Sequence, residues 1–229
     1  MNHGAMARRL PGPLRRQILH FETAIDDAVR RFAMRLPPGC QVLDAGAGEC
    51  QYGCHFKAHR YVALDLGIGD AGWNYGRLDM VADLTAIPLA SSAFDACLNV
   101  VTLEHVTDPA AVLAEICRVL RPGGEMLLVV PHEWEVHQAP HDYFRYTCHG
   151  VRYLLEKCGF ASISIQPVGG FFRLLSRRLW NFLEFLPAPL FLLAAIFVGP
   201  VALLLPALEP LDDARNFTLG YICSARKPL

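Results

Sequence analysis

Three short apolar runs, each leading into an aspartate, follow one another early in the chain: QVLDAG from Gln41, RYVALDLG from Arg60 and the weaker MVADL from Met80. Runs of this length suit strands covered on both faces. FDACLNVVTLEHV holds a fourth strand, Pro109 to Leu120 is an amphipathic helix followed by RPGG, and EMLLVVP is a fifth strand. TCHGVRYLLEKCGF reads as a helix with Thr147 as N-cap and Gly159 as its stop. ASISIQPVGG and FTLGYICSA supply the sixth and last strands. Upstream, Leu14 to Leu36 carries apolar residues at helical spacing and halts at Pro37-Pro38. Such alternation specifies an α/β fold, a doubly wound and mostly parallel sheet with helices on both faces. The 229 residues suit one domain spanning 1–229, with an N-terminal helical segment at 1–39 and an apolar helical insertion at 171–210.

A net charge of −1 gives no sign of nucleic acid as a partner. Arg8, Arg9, Arg15 and Arg16 nonetheless share the first 21 residues with no acid. That segment reads as a solvated basic face, with contact to anionic lipid or an anionic acceptor as the alternative. The start lacks the continuous apolar stretch of a secretory signal, and the eight cysteines are scattered, so a reduced cytoplasmic setting is expected. Cys50, Cys54, His55 and His59 are close in sequence but lack the spacing of a zinc finger. No metal is expected.

Gly46 and Gly48 follow the first strand directly, where a ligand can approach the backbone at the carboxyl edge of the sheet. A dinucleotide loop would place a third glycine where Gln51 stands. Asp44, Asp65 and Asp83 sit at three successive strand ends. Three carboxylates there suit a cationic nucleoside and would repel a pyrophosphate.

The segments VLDAGAGE, YVALD, ADLTAIPLASSAFDACLNVVTLEHVTDP and EICRVLRPGGEMLLVVP, in that order between about residues 41 and 131, resemble the class I S-adenosylmethionine-dependent methyltransferases of the type 11 group. HQAPHDYFRYTCHGVRYLLEKCGF resembles a subset associated with cell-surface glycan pathways. The resemblance implies a seven-stranded Rossmann-like sheet whose last strand runs antiparallel between the fifth and sixth, and S-adenosylmethionine as cofactor. It carries Asp44, Ala45, Gly46 and Gly48 onto the methionine part, Asp65 and Leu66 onto the ribose, and Asp83 and Leu84 onto the adenine. Asn99 and Val100 would line the sulfonium. The family's third loop glycine is Cys50 here, and the helix after the loop is short.

The loop after strand five, PHEWEVHQAPHDYFRYT, opens at the same edge. His141 and then His137 are the candidates for a base at the acceptor, since imidazole titrates near neutral pH. His105 is a further candidate, and Glu104 reads as structural. Against this stands a purely architectural reading, in which Asp142 pairs with Arg145 while Tyr143, Phe144 and Tyr146 plug the core. The expected acceptor is a small molecule or is linked to a lipid or glycan, methylated at oxygen. The rival class is a methyltransferase-like protein that binds cofactor or a membrane partner without turnover.

Leu186 to Leu208 contains no charged residue, yet Pro187, Pro189, Pro200 and Pro206 interrupt it. FTLGYICSA must return to the sheet, so a single crossing of a bilayer is excluded. A shallow hairpin, with Leu190 to Gly199 as one arm and a turn at Pro200, satisfies both facts. Arg173, Arg177 and Arg178 mixed with Trp180, Phe182 and Phe185 suit an interfacial helix. The expectation is peripheral membrane contact through 171–210, at the inner face of the cytoplasmic membrane. A core helix pair or a homodimer interface is the alternative cover.

Overall fold

The computed structural model describes residues 12–70 and 72–229; Arg8 and Arg9 of the basic segment lie outside them. All seven strands expected from the sequence form: β1 (Gln41–Ala45), β2 (Arg60–Asp65), β3 (Met80–Val81), β4 (Phe94–Val100), β5 (Leu120–Pro131), β6 (Ala161–Val168) and β7 (Gly220–Arg226). They join one sheet in the order β3-β2-β1-β4-β5-β7-β6. β1 pairs in parallel with β2 and with β4, β2 with β3, and β4 with β5. Near the start of β5 the Gly123 amide donates to the Lys227 carbonyl, just past the end of β7, at 2.9 Å. Just before β7 the Leu219 amide donates to Val168, the last residue of β6, at 3.1 Å. End meets start on both sides, so β7 is antiparallel to its neighbours. Strand order reverses between β1 and β4, and the crevice outside such a switch point is where open α/β sheets bind ligands.

The described residues divide into two compact units, Asp26–Gln166 with Tyr221–Leu229, and residues 12–25 with Pro167–Gly220. In the first, Leu43, Leu64, Cys97 and Leu128 of the strands are buried in one cluster with Leu113 and Ile116 of α3 (Pro109–Val119). This apolar layer fixes the strand tips that carry the site. Asp108 starts α3 by accepting from the Ala111 amide at 3.0 Å. Thr147 starts α4 (Cys148–Lys157), accepting from the Gly150 amide at 3.0 Å, and Gly159 takes up φ +89° beyond its end.

Leu14 to Leu36 is two helices, α1 (Gly12–Ile18) and α2 (His20–Arg35), interrupted at Leu19. In the second unit α5 (Phe171–Glu184) packs on α6 (Ala188–Leu204). The expected turn at Pro200 does not occur. The helix runs through it, and the break falls at 185–187 instead. Packing against α5 explains the difference. Gly199 and Ala202 are the buried residues of α6, Gly199 lies under the Trp180 ring, and Ser176 Oγ donates to the Ala202 carbonyl at 2.6 Å. A partner helix thereby holds the turns on either side of the one hydrogen bond that proline removes. On the rest of α6, Leu190, Leu192, Leu193, Ile196, Phe197 and Leu204 are each more than half exposed.

Candidate functional site

Asp44, the penultimate residue of β1, is 1% exposed. Its Oδ2 accepts from the Tyr61 hydroxyl at 2.5 Å, while Oδ1 is buried without a partner. Burial raises the Asp44 carboxyl to about 7, against the opposing effect of the Tyr61 hydrogen bond and with a smaller push from Asp65. An orphaned buried carboxylate oxygen at a strand tip is an unmet demand for a donor. An ammonium group on a ligand answers it.

The glycine loop follows. Gly46 has φ +93°, and a Cβ there would stand 2.3 Å from Thr102 Cγ2. Gly48 has φ +51° and lies against the Trp73 ring. Cys50 also adopts a left-handed backbone, φ 57°, with its side chain buried and its thiol directed to the Arg77 carbonyl at 3.4 Å. Cysteine thus keeps the backbone that glycine would adopt without strain. A 3₁₀ segment, Gln51–Phe56, takes the place of a longer helix.

Asp65 ends β2 and accepts from the Gly48 amide at 2.9 Å and the Gly67 amide at 2.8 Å, one on each oxygen. It ties the glycine loop to the neighbouring strand, and each oxygen keeps a second lone pair for a hydroxyl pair. Leu66 beside it is 43% exposed, available to a ligand face. Asp83 Oδ1 caps the turn Leu84–Ala86, accepting from the Thr85 amide and hydroxyl, both at 2.8 Å. Leu84 packs into the core below. Asn99 is wholly buried; its Nδ2 donates to the Ala45 carbonyl at 2.7 Å and its Oδ1 has no partner. Val100 is nearly buried beside it. The structure therefore gathers Asp44, Ala45, Gly46, Gly48, Asp65, Asn99 and Val100 around the β1–β4 switch point, with Asp83 and Leu84 two strands away.

Beyond β5 the loop is braced. The Asp142 side chain is 2% exposed and is gripped by Arg145 through two parallel bonds of 2.6 and 2.7 Å. Arg145 also donates to the Glu135 and Trp134 carbonyls. These bonds hold the Asp142 carboxyl at about 2, chiefly through the Arg145 hydrogen bonds. The pairing that the architectural reading anticipated is present. Of the three aromatics only Tyr146 is a plug, buried and donating to the Leu103 carbonyl at 2.8 Å; Tyr143 and Phe144 are exposed.

His137 and His141 have different surroundings. The His141 ring meets the Tyr143 hydroxyl at 3.1 Å, and its carbonyl receives His105 Nδ1 at 2.5 Å. His137 turns inward, its Nε2 lying 3.1 Å from His105 Nε2, and the two rings meet edge to face. Glu104 is fully buried beneath both, with Oε1 3.7 Å from each Nε2 and no hydrogen bond to either oxygen. Burial opposes a charge on His137, but the Glu104 carboxylate and the Glu135 carbonyl outweigh it and raise its proton affinity. Glu104 thus lies at the base of a cluster with both histidines. The four residues Cys50, Cys54, His55 and His59 do not converge, and face Arg77, Gln51, Asp26 and Ala33 respectively.

Sequence reasoning missed Tyr61, Thr102 and Trp73. Tyr61 and Thr102 lie on or beside predicted strands, and only their packing shows them against Asp44 and Gly46. Trp73 comes from a loop with no regular pattern, and its ring fills the space between Gly48 and Gly69.

Residues 43–128 match the family described as "Methyltransferase domain". A malonyl-acyl-carrier-protein O-methyltransferase of Yersinia pestis is 36% identical over 97 residues, 39% of this chain and 36% of that protein. A demethylmenaquinone methyltransferase of Mycobacterium marinum is 35% identical over 102 residues, 43% of this chain and 44% of that protein. The similarity thus spans well under half the length of these curated relatives. Among solved structures, the cyclase SpnF superposes with a TM-score of 0.58 at 23% identity over 90% of this chain and 82% of that one. A methyltransferase of Archaeoglobus fulgidus, described as dependent on S-adenosylmethionine, gives 0.59 at 13% identity over 90% and 94%. These structures establish the fold alone. The matched segment, residues 43–128, carries the cradle between β1 and β4 and is thus similar to the methyltransferase-domain family.

Proposed function

We propose that the protein transfers a methyl group from S-adenosylmethionine to an oxygen of a lipid-linked or other small acceptor presented at a membrane surface. The observation that carries the first half is Asp44, a buried carboxylate with one orphaned oxygen beside two glycines whose backbone no other residue adopts freely. The cofactor supplies a methyl already activated on a sulfonium. Asp44 offers its free oxygen to the amine of the methionine part, Asp65 offers lone pairs to the ribose hydroxyls, and Asn99 offers Oδ1 near the reacting end. What remains for the protein is to hold the acceptor in line, an orientation problem. The loop from His132 to Thr147, stiffened by Asp142 and Arg145, supplies that wall. Glu104, His105 and His137 form the group able to take up the charge or proton an acceptor hydroxyl gives up.

The membrane half is supported by Ala188–Leu211, an apolar helical stretch of 24 residues of which little is buried. At roughly 1.5–3 kcal/mol per large apolar side chain, its exposed leucines, Ile196 and Phe197 favour transfer out of water. Arg173, Arg177 and Arg178 add positive charge to the preceding helix, where Arg177 already pairs with Glu22 at 3.6 Å.

The test uses purified protein and cofactor labelled on the methyl. Incubation with a cell extract, followed by separation into lipid and aqueous phases, is expected to put label in the lipid phase. Label only in water-soluble products would remove the lipid acceptor. Titration calorimetry showing no binding of S-adenosylmethionine or S-adenosylhomocysteine would remove the whole reading. Flotation with anionic liposomes is expected for the intact chain, and its loss when 186–208 is replaced by a Gly/Ser linker.

A further inference from the structure

Glu104, His105 and His137 form a small closed triangle among the described residues. Three potential ligand atoms face one another there: His105 Nε2 and His137 Nε2 at 3.1 Å, and Glu104 Oε1 at 3.7 Å from each. The other ring nitrogens are committed. His105 Nδ1 meets the His141 carbonyl at 2.5 Å, and His137 Nδ1 meets the Glu135 carbonyl at 3.2 Å. A carbonyl only accepts, so both Nδ1 atoms carry the hydrogen. In neutral imidazoles both Nε2 atoms then present lone pairs, to each other and to a carboxylate. Three electron-rich atoms at these distances, with the carboxylate wholly buried and unbonded, favour a cation between them, either a shared proton or a metal ion.

We infer that Glu104, His105 and His137 bind one divalent transition-metal ion, zinc foremost, contrary to the sequence-based expectation of no metal. The dimensions fit. The point equidistant from the three atoms and in their plane lies about 2.0 Å from each, the usual zinc–nitrogen and zinc–oxygen bond length. Two imidazoles and a carboxylate suit zinc, iron or cobalt, and not the hard ions that prefer all-oxygen shells. The outer partners are of the right kind. Backbone carbonyls at both Nδ1 atoms set the tautomer and orient the rings, as around histidine-bound metals generally. The His141 carbonyl is one of them, so the residue favoured from the sequence as a base acts here through its backbone.

Three protein ligands leave a coordination position open. Glu104 and His105 come only two and three residues after Thr102, which packs on Gly46, so the ion would lie on the cofactor side of the sheet. An acceptor hydroxyl held there would release its proton to water more readily, the ion then taking the place of the imidazole base named above. That role rests on the methyl-transfer reading above, whereas binding of the ion does not.

The intact protein, stripped with chelator and dialysed, is titrated with zinc by calorimetry and with cobalt by visible absorption. One equivalent is expected to bind, with the d–d spectrum of a four- or five-coordinate cobalt site. X-ray absorption of the zinc form should show two imidazole ligands. His137→Ala and the isosteric Glu104→Gln are each expected to weaken binding by about 100-fold or more. Circular dichroism establishes which variants are folded, and the wild-type cobalt and X-ray spectra report the ligands even if neither is. The double variant Cys54→Ser/His55→Ala should bind like wild type. Failure of folded wild-type protein to bind one equivalent would overturn the inference and leave a proton shared between His105 and His137. So would binding that survives in folded His137→Ala and Glu104→Gln protein. None of these readouts depends on methyl transfer.

Discussion

The hydroxyl of Tyr61 donates to one oxygen of Asp44 at 2.5 Å and leaves the other oxygen without a partner in the interior. The consequence is a pH dependence. Burial raises the Asp44 carboxyl from 3.8 to about 7. Between those values the folded cofactor-free protein holds a proton that the unfolded chain has released. Stability from this group is therefore complete below about pH 4 and is lost as pH rises through 7. Urea unfolding at pH 5 and pH 8 should show wild type losing a few kcal/mol relative to Asp44→Asn, which mimics the protonated acid. Parallel pH profiles for the two proteins would refute the shift.

Gly46→Ala is expected to destabilise the fold before any cofactor is present. The added methyl meets Thr102 at 2.3–2.8 Å, and φ is +93°. Strain and overlap of this kind cost about 1–3 kcal/mol. The measurement is the urea midpoint of the cofactor-free protein, and an unchanged midpoint would show that Thr102 yields. A larger side chain at Gly46 therefore reports on folding as well as on cofactor binding.

Trp73 is expected to report ligand entry. Its ring lies against Gly48 in the loop beside Asp65. Binding of S-adenosylhomocysteine should change the tryptophan fluorescence, and Trp73→Phe should abolish most of that change while weakening affinity several-fold. An equal signal in the variant would assign it to Trp134 or Trp180.

Arg145→Lys should impair turnover more than cofactor binding. Lysine cannot reproduce two parallel bonds to Asp142 together with donation to the Glu135 carbonyl. The carbonyl of Glu135 orients His137, so disorder there reaches the acceptor side. Once an acceptor is known, kcat is expected to fall at least tenfold with cofactor affinity within twofold. A matched fall in both would locate the damage in the fold as a whole.

Much of the fold could be read because its causes are local. Apolar runs such as VLDA and MLLVV mark strands, and Thr147 and Gly159 bound a helix through hydrogen bonds within a few residues of each. The acids at the strand tips were legible for the same reason. Features set by distant packing were not. Pro200 looks like a break, but α5 supplies the contacts that keep the helix going. Glu104 looks like an ordinary acid in LEHV until His137, from a loop 33 residues on, closes over it. His137 and His141 look alike in sequence, and only the direction of each ring separates an inward ligand from an outward neighbour of Tyr143.

The position of β7 between β5 and β6 has a further cost in time. During synthesis the ribosome delivers residues 220–226 only after both neighbouring strands and the apolar helix α6 have emerged. Until then β5 and β6 each present an unpaired edge, a template for pairing with other chains. The nascent protein thus passes through an interval in which open strand edges and a bare apolar helix coexist. Its yield in cells should depend on chaperones or membrane encountered during that interval more than on the stability of the finished sheet.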